Sequence, residues 1–318
     1  MPADPGHPNC NVIDLVIRIQ GKEEGRLEME NYWRNKRRRL AKWAAAAIVG
    51  LSCIALAAPI LWLLDTALMG QQALYSTSLH VLPVPLSGAS FSQLVKDIDF
   101  GRDFINSTVV SCCQTVGVLV VGLLAAYAFA RIEWKGRDAV FLTYVAALAV
   151  PIWVLLVPLF LIVKDLHWLN TYQGLIVPGL ISPLAIFLLR QFMLTFPREL
   201  EDAAKVDGAS LLRTLFGVIV PNITPAIIAA GIFVFLDSWN NLLWPLVVVS
   251  KTNLDTIPLG LSQLVIASGA GGGGASWSAV EWGPLMMGSL LAALPTLALF
   301  VIGQRKFVRG LTFSGLKG

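Results

Sequence analysis

The chain has 318 residues, of which 56% are hydrophobic and only 14% charged, and its mean hydropathy is +0.69. A soluble domain is about one quarter charged, so this composition excludes an ordinary water-soluble globule and indicates a membrane protein. A formal net charge of +4 argues against a nucleic-acid partner; the positive residues serve membrane topology instead.

In chain order, residues 1–28 show no helical period. Met29-Glu-Asn-Tyr opens a short charged lead, and Lys22-Glu-Glu-Gly25 is compatible with purine-rich codons that resemble a ribosome-binding site. Met29 is therefore the expected start, with residues 1–28 untranslated; the alternative is that they form a disordered tail. The cluster Arg34, Lys36, Arg37, Arg38, Arg39 and Lys42 stands directly before an apolar run and reads as an anchor on the inner face of a membrane. That run starts too late, and is too long, for a cleaved signal peptide.

A bilayer core of about 30 Å needs about 20 apolar residues per helix. Six runs meet this: about Trp43–Leu68, Ile105–Ala130, Ala139–Val163, Leu175–Leu194, Ile223–Val249 and Pro284–Ile302. The expected architecture is an all-α polytopic membrane protein with six transmembrane helices over residues 43–302, an N-terminal tail 1–42 and a C-terminal tail 303–318. Arg131, Lys135 and Arg137 lie between the second and third runs, Arg190 and Arg198 lie at the start of the loop before the fifth, and Lys205 and Arg213 lie inside it. Arg305, Lys306, Arg309 and Lys317 follow the sixth, whereas the opposite loops hold only Lys96, Arg102, Lys164 and Lys251. This asymmetry predicts cytoplasmic termini and a cytoplasmic loop 196–221.

That loop carries a specific design. Thr195 and Pro197 form a helix-start signal, and Glu199, Glu201 and Asp202 follow where carboxylates complement the helix dipole. Ala203 and Ala204 are small enough for another surface to come close. Gly208, after Asp207, breaks the helix, Ser210 caps a second short one, and Pro221 and Pro225 lead into the fifth run. The reading is a helix-turn-helix outside the bilayer, shaped to dock into a partner.

In the fifth run Asp237, Asn240 and Asn241 stand at i, i+3 and i+4, on one face of a continuous helix, flanked by Trp239 and Trp244. Polar groups inside a span face a cavity or a partner. Amides can pair sugar hydroxyls and aromatic faces can cover a sugar's apolar face; hydrogen bonding to a neighbouring subunit is the alternative. The four cysteines and three histidines are scattered, so neither a disulfide framework nor a metal site is expected. Gly269-Ala-Gly-Gly-Gly-Gly274 lacks the strand, helix and Lys-Ser/Thr of a phosphate loop and reads as a flexible linker. No nucleotide site is expected on this chain.

The loop resembles the cytoplasmic coupling loop of ABC importer permeases. The family pattern is Glu-Ala-Ala, three residues, Gly, nine residues, then Ile-x-Leu-Pro. It is matched in spacing by Asp202-Ala203-Ala204, Gly208, Val218, Val220 and Pro221, with Asp202 in place of the family's Glu. Asn106-Ser107, Ala125-Ala-Tyr-Ala-Phe-Ala-Arg131, Leu188-Leu-Arg-Gln-Phe192, Trp239-Asn-Asn-Leu-Leu-Trp-Pro-Leu246 and Gln304-Arg-Lys-Phe-Val-Arg-Gly-Leu-Thr312 extend the likeness over residues 34–318. Together they resemble the maltose-type second permease subunit of carbohydrate importers, although Asn241 stands where that family usually has an acidic residue.

The resemblance implies a type I ABC importer permease fold in the bacterial inner membrane. It implies a sister permease subunit, two cytoplasmic ATPase subunits that hold ATP and Mg, and an extracytoplasmic solute-binding protein that delivers a sugar. Glu199, Glu201, Asp202, Ala203, Ala204, Asp207, Gly208 and Pro221 would couple to the ATPases; Asp237, Trp239, Asn240, Asn241 and Trp244 would line the path. The chain itself would be no enzyme and bind no cofactor, membrane lipid being its other contact. A glycerol-phosphate or polyamine importer is the alternative within the class. An ion-driven secondary transporter or a membrane scaffold would leave the coupling loop without a role.

Overall fold

The computed structural model describes residues 12–69, 86–267 and 280–312. The glycine-rich segment 269–274 and the end of the C-terminal motif, 313–318, lie outside the described residues. The chain divides into two compact units, residues 1–62 and 63–318. The first is carried by helix α1, Val12–Leu68, whose apolar side chains Trp43, Ile48, Leu51, Ile54 and Leu56 are all exposed. The helix begins upstream of Met29, so it includes residues 12–28, where the sequence shows no helical period.

The second unit is built around α3, Phe100–Arg131, which packs against α7 (Pro183–Thr195) and α10 (Thr224–Trp239). Helix α10 also meets α13 (Trp282–Thr312), which packs on α2 (Ala89–Asp97). Between them lie α4 (Arg137–Ala146), α5 (Ile152–Asp165), α6 (Tyr172–Ile176), α8 (Glu199–Val206), α9 (Leu211–Asn222), α11 (Leu243–Val248) and α12 (Ile257–Ala267). Lipid gives helices no hydrophobic reason to associate, so close backbone approach matters. Ala126, Ala130, Ala226 and Ala230 supply it in the core with Leu189, Met193, Leu215 and Ile219. At Gly122 an added Cβ would already touch Leu189 at 3.4 Å.

Among the described residues, three helices are long and apolar enough to cross a membrane, Arg38–Leu68, Phe100–Arg131 and Trp282–Gly303. The count reaches six if each of three bent pairs is one span. The bends have local causes. Pro151 separates α4 from α5 at 102°, Pro178 and Gly179 precede a 43° bend into α7, and Pro221 and Pro225 bracket the 84° turn from α9 into α10. Pro221 has no N–H to continue the ladder, and the turn before it widens so that Val220 N–H donates to Leu215 O, five residues back. The fifth run is therefore not one helix over residues 223–249: α10 stops at Trp239 and α11 starts at Leu243. Helix α12, an apolar segment too short to span, was not separated from its flanks by the sequence pattern.

Candidate functional site

Two polar regions stand out. The first gathers the ends of α3, α7, α8 and α9. Helix α8 opens after Pro197, with Glu201 and Asp202 N–H groups donating to Arg198 O. Thr195 does not cap it; it closes α7, its Oγ1 donating to Phe192 O at 2.8 Å. The C-terminal end is a complete glycine stop: Gly208 has φ of +78°, its N–H donates to Lys205 O, and Ala209 N–H reaches back to Ala204 O. No other residue adopts that backbone as cheaply. Ser210 then caps α9, accepting Arg213 N–H at 3.4 Å.

The faces of α8 differ. Glu201 is buried, whereas Glu199, Asp202, Ala203 and Asp207 are exposed and Ala204 is half-buried. Lys205 Nζ donates to Asp202 at 3.0 Å, and that contact holds the ammonium above its ordinary range. Val206 is 88% exposed, and Leu200, Leu211, Leu212 and Phe216 are exposed as well. Pro221 is exposed at the far end of α9.

The second region is a cavity of about 1140 Å³ whose walls include residues of α3, α5, α7, α10 and α11. Broken helices free backbone groups that must find partners or a wet cavity, and the breaks at Pro178-Gly179 and Asn240-Asn241 both lie in its wall. Asp237, Asn240, Asn241 and Trp244 line it. Asp237 has no hydrogen-bond or ion partner among the described residues. Asn240 Nδ2 donates to Leu236 O at 2.8 Å, and Asn241 Oδ1 accepts Trp244 N–H at 3.2 Å, capping the start of α11. Because α10 ends at Trp239, the three polar residues meet through a helix end and a turn rather than along one helix face. Trp244 Nε1 donates to Gly174 O at 2.8 Å, which fixes its ring in the wall.

Trp239 points elsewhere. It is 3% exposed, stacks on Phe235, meets Phe104 edge-on, and donates Nε1–H to Ala292 O at 3.0 Å. Its place is the core shared by α3, α10, α12 and α13, not the cavity.

The sequence reading missed Ser107, Ser111, Gln114, Ser182, Ser238 and Thr256, all in the lining. Ser238 Oγ donates to Gln114 Oε1 at 2.6 Å, whereas Ser111 Oγ and Thr256 Oγ1 are buried without a partner among the described residues. A signal was present: Ser107, Ser111 and Gln114 stand at i, i+4 and i+7 on α3. No Lys, Arg or His lines the cavity among the described residues. No cluster able to hold a metal ion occurs among the described residues.

Residues 118–311 match the family model described as "binding-protein-dependent transport system inner membrane component". The chain is 36% identical over 215 residues to the arabinooligosaccharides transport system permease protein of Bacillus subtilis, covering 68% of this chain and 73% of that one. It is 36% identical over 222 residues to the lactose transport system permease protein of Rhizobium radiobacter, with 70% and 78% covered. It is 37% identical over 215 residues to the sn-glycerol-3-phosphate transport system permease protein of Pectobacterium atrosepticum, with 68% and 74% covered. Its fold matches, at a TM-score of 0.73 and 20% identity, a chain in the crystal structure of a bacterial ABC transporter involved in import of the acidic polysaccharide alginate, over 85% of this chain and 97% of that one. The chain belongs to the family of binding-protein-dependent transport system inner membrane components. It is an all-α permease subunit of an ABC importer, a transport component rather than an enzyme.

Proposed function

We propose that this permease serves an ATP-driven importer of a neutral, hydroxyl-rich solute, in the sugar class. The observation that carries the solute class is the polar part of the largely apolar cavity lining: serine, threonine and amide groups, one carboxylate at Asp237, and no cation among the described residues. Hydroxyls and amides exchange hydrogen bonds with sugar hydroxyls in either direction. A phosphate would meet Asp237 with no Lys or Arg to offset the repulsion. The sn-glycerol-3-phosphate relative keeps an anionic solute as the second reading, and the arabinooligosaccharide and lactose relatives support the first.

In this reading both termini and the segment 196–221 are cytoplasmic. Two ATPase subunits, which hold ATP and Mg, grip α8 across Ala203, Ala204 and Val206. Glu199, Asp202 and Asp207 rim the contact, Gly208 sets the turn, and Pro221 carries the motion toward α10. A sister permease completes the path, and an extracytoplasmic binding protein presents the solute. ATP-driven closure of the ATPases moves α8 and α9 as a body and shifts the spans between inward- and outward-facing states. The test is uptake by the reconstituted complex, with its binding protein, of neutral oligosaccharides against sn-glycerol-3-phosphate. Sugar uptake that needs ATP is expected; uptake of the phosphate ester alone overturns the solute assignment.

A further inference from the structure

The sequence pattern gives Arg131 no role beyond membrane topology, yet its contacts are unusual for a residue at the end of a span. It is the last residue of α3. One terminal nitrogen donates to Met193 O at 2.6 Å and to Phe196 O at 2.8 Å, two carbonyls at the frayed end of α7. Its Nε lies 2.6 Å from Glu201 Oε1 as an ion contact off the line of a hydrogen bond. The two side chains are only 6% and 4% exposed. One guanidinium therefore joins the ends of α3 and α7 to the buried face of α8. A second arginine ties the same two long helices from the other direction: Arg190 of α7 donates to Phe129 O at 3.2 Å, with its guanidinium 3.9 Å from the centre of the Phe141 ring.

We infer that the Arg131–Glu201 pair is the strut through which displacement of α8 reaches the membrane helices, making Arg131 and Glu201 positioning residues for coupling rather than contacts to the ATPase. Glu201 is the buried residue of α8, so it is that helix's side-chain hold on the body behind it. A buried pair resists partial separation, because removing either partner leaves a charge uncompensated. A forked guanidinium also fixes direction, which an ammonium on a flexible stem does not. A push on α8 is thereby delivered to the ends of α3 and α7 together, and those helices form two walls of the cavity.

The inference rests on the reading of α8 as the ATPase-facing segment. That reading fails separately if the unaltered complex shows no ATP-dependent uptake. The test is the number of solute molecules moved per ATP hydrolysed, per assembled complex, in proteoliposomes carrying Glu201→Gln, Arg131→Lys, Arg131→Gln or the double variant Arg131→Gln/Glu201→Gln. Each single variant is expected to lower this ratio at least tenfold, with the double variant no worse than the poorer single. Arg131→Gln also strips two carbonyls of their donor and can lower the yield of complex; Glu201→Gln leaves those bonds in place and keeps the test decisive. A merely structural pair would reduce yield and leave the ratio per complex unchanged, and an unchanged ratio in Glu201→Gln and Arg131→Lys overturns the inference.

Discussion

The two polar regions of this permease are built on opposite terms. Where α3, α7 and α8 meet, strong groups pair off: Arg131 is shared among Glu201, Met193 O and Phe196 O, and Gly208 closes α8 with its full set of backbone bonds. Around the cavity some groups stay open among the described residues: Asp237 has no partner and the Ser111 and Thr256 hydroxyls are unpaired, although Ser238 pairs with Gln114. A buried ion contact with two carbonyls bound to the same guanidinium holds a body together when it is pushed, whereas open groups wait for a ligand or for water. In the proposed function, the contrast separates the part of the chain that transmits force from the part that meets solute.

The comparison can be broken at several points. The largest stability effect is expected at Trp239, which belongs to neither region. Trp239→Ala empties a buried aromatic site and should cost about 3–5 kcal/mol. It should appear as lost yield of complex, with solute preference intact in whatever assembles; altered preference at full yield would place the ring in the path after all. Asn241→Leu is next. It removes a cavity amide and the acceptor for Trp244 N–H, a cap worth about 1 kcal/mol, so uptake should fall at least tenfold while the complex assembles near normally. Asp237→Leu should match it in uptake without any loss of yield, since no partner is broken; reduced yield would instead mark a seam with the sister subunit. Paired uptake and yield measurements on both variants decide this. The smallest effect is expected at Gly231, where an added Cβ would come within 3.2 Å of Leu119 Cδ1. That methyl can give way, so Gly231→Ala should change thermal stability by about 1 kcal/mol or less and leave uptake alone.

The sequence made some of this plain and hid the rest for physical reasons. Gly208 and Ser210 were legible because backbone geometry restricts which residues can stand there. Asp237, Asn240, Asn241 and Trp244 could be selected because polar and amphipathic groups in an apolar run are conspicuous, but their arrangement was not, since nothing in Trp239-Asn240-Asn241 announces that the helix stops. Trp239 and Trp244 look alike in sequence, and only packing sends one into the core and the other to the cavity wall. The 84° turn at Pro221 and Pro225 was visible as prolines but not as an angle. Arg131 was hidden by its neighbours: among the positive residues that set topology, nothing singled out the one whose charge is buried. Ser107, Ser111 and Gln114 were missed because each is unremarkable alone and their common face appears only at helical spacing.

The central claim is that the segment around Gly208 is where ATP hydrolysis is coupled to movement of the membrane helices. Its most direct test is ATP hydrolysis by the reconstituted complex with and without loaded binding protein, comparing the unaltered chain with Ala204→Glu and Gly208→Val. A β-branched residue at φ of +78° is strained, and a charged chain at Ala204 blocks close approach. The account predicts a complex that inserts and assembles while losing at least tenfold of its solute stimulation in both variants. Full stimulation in both would contradict it.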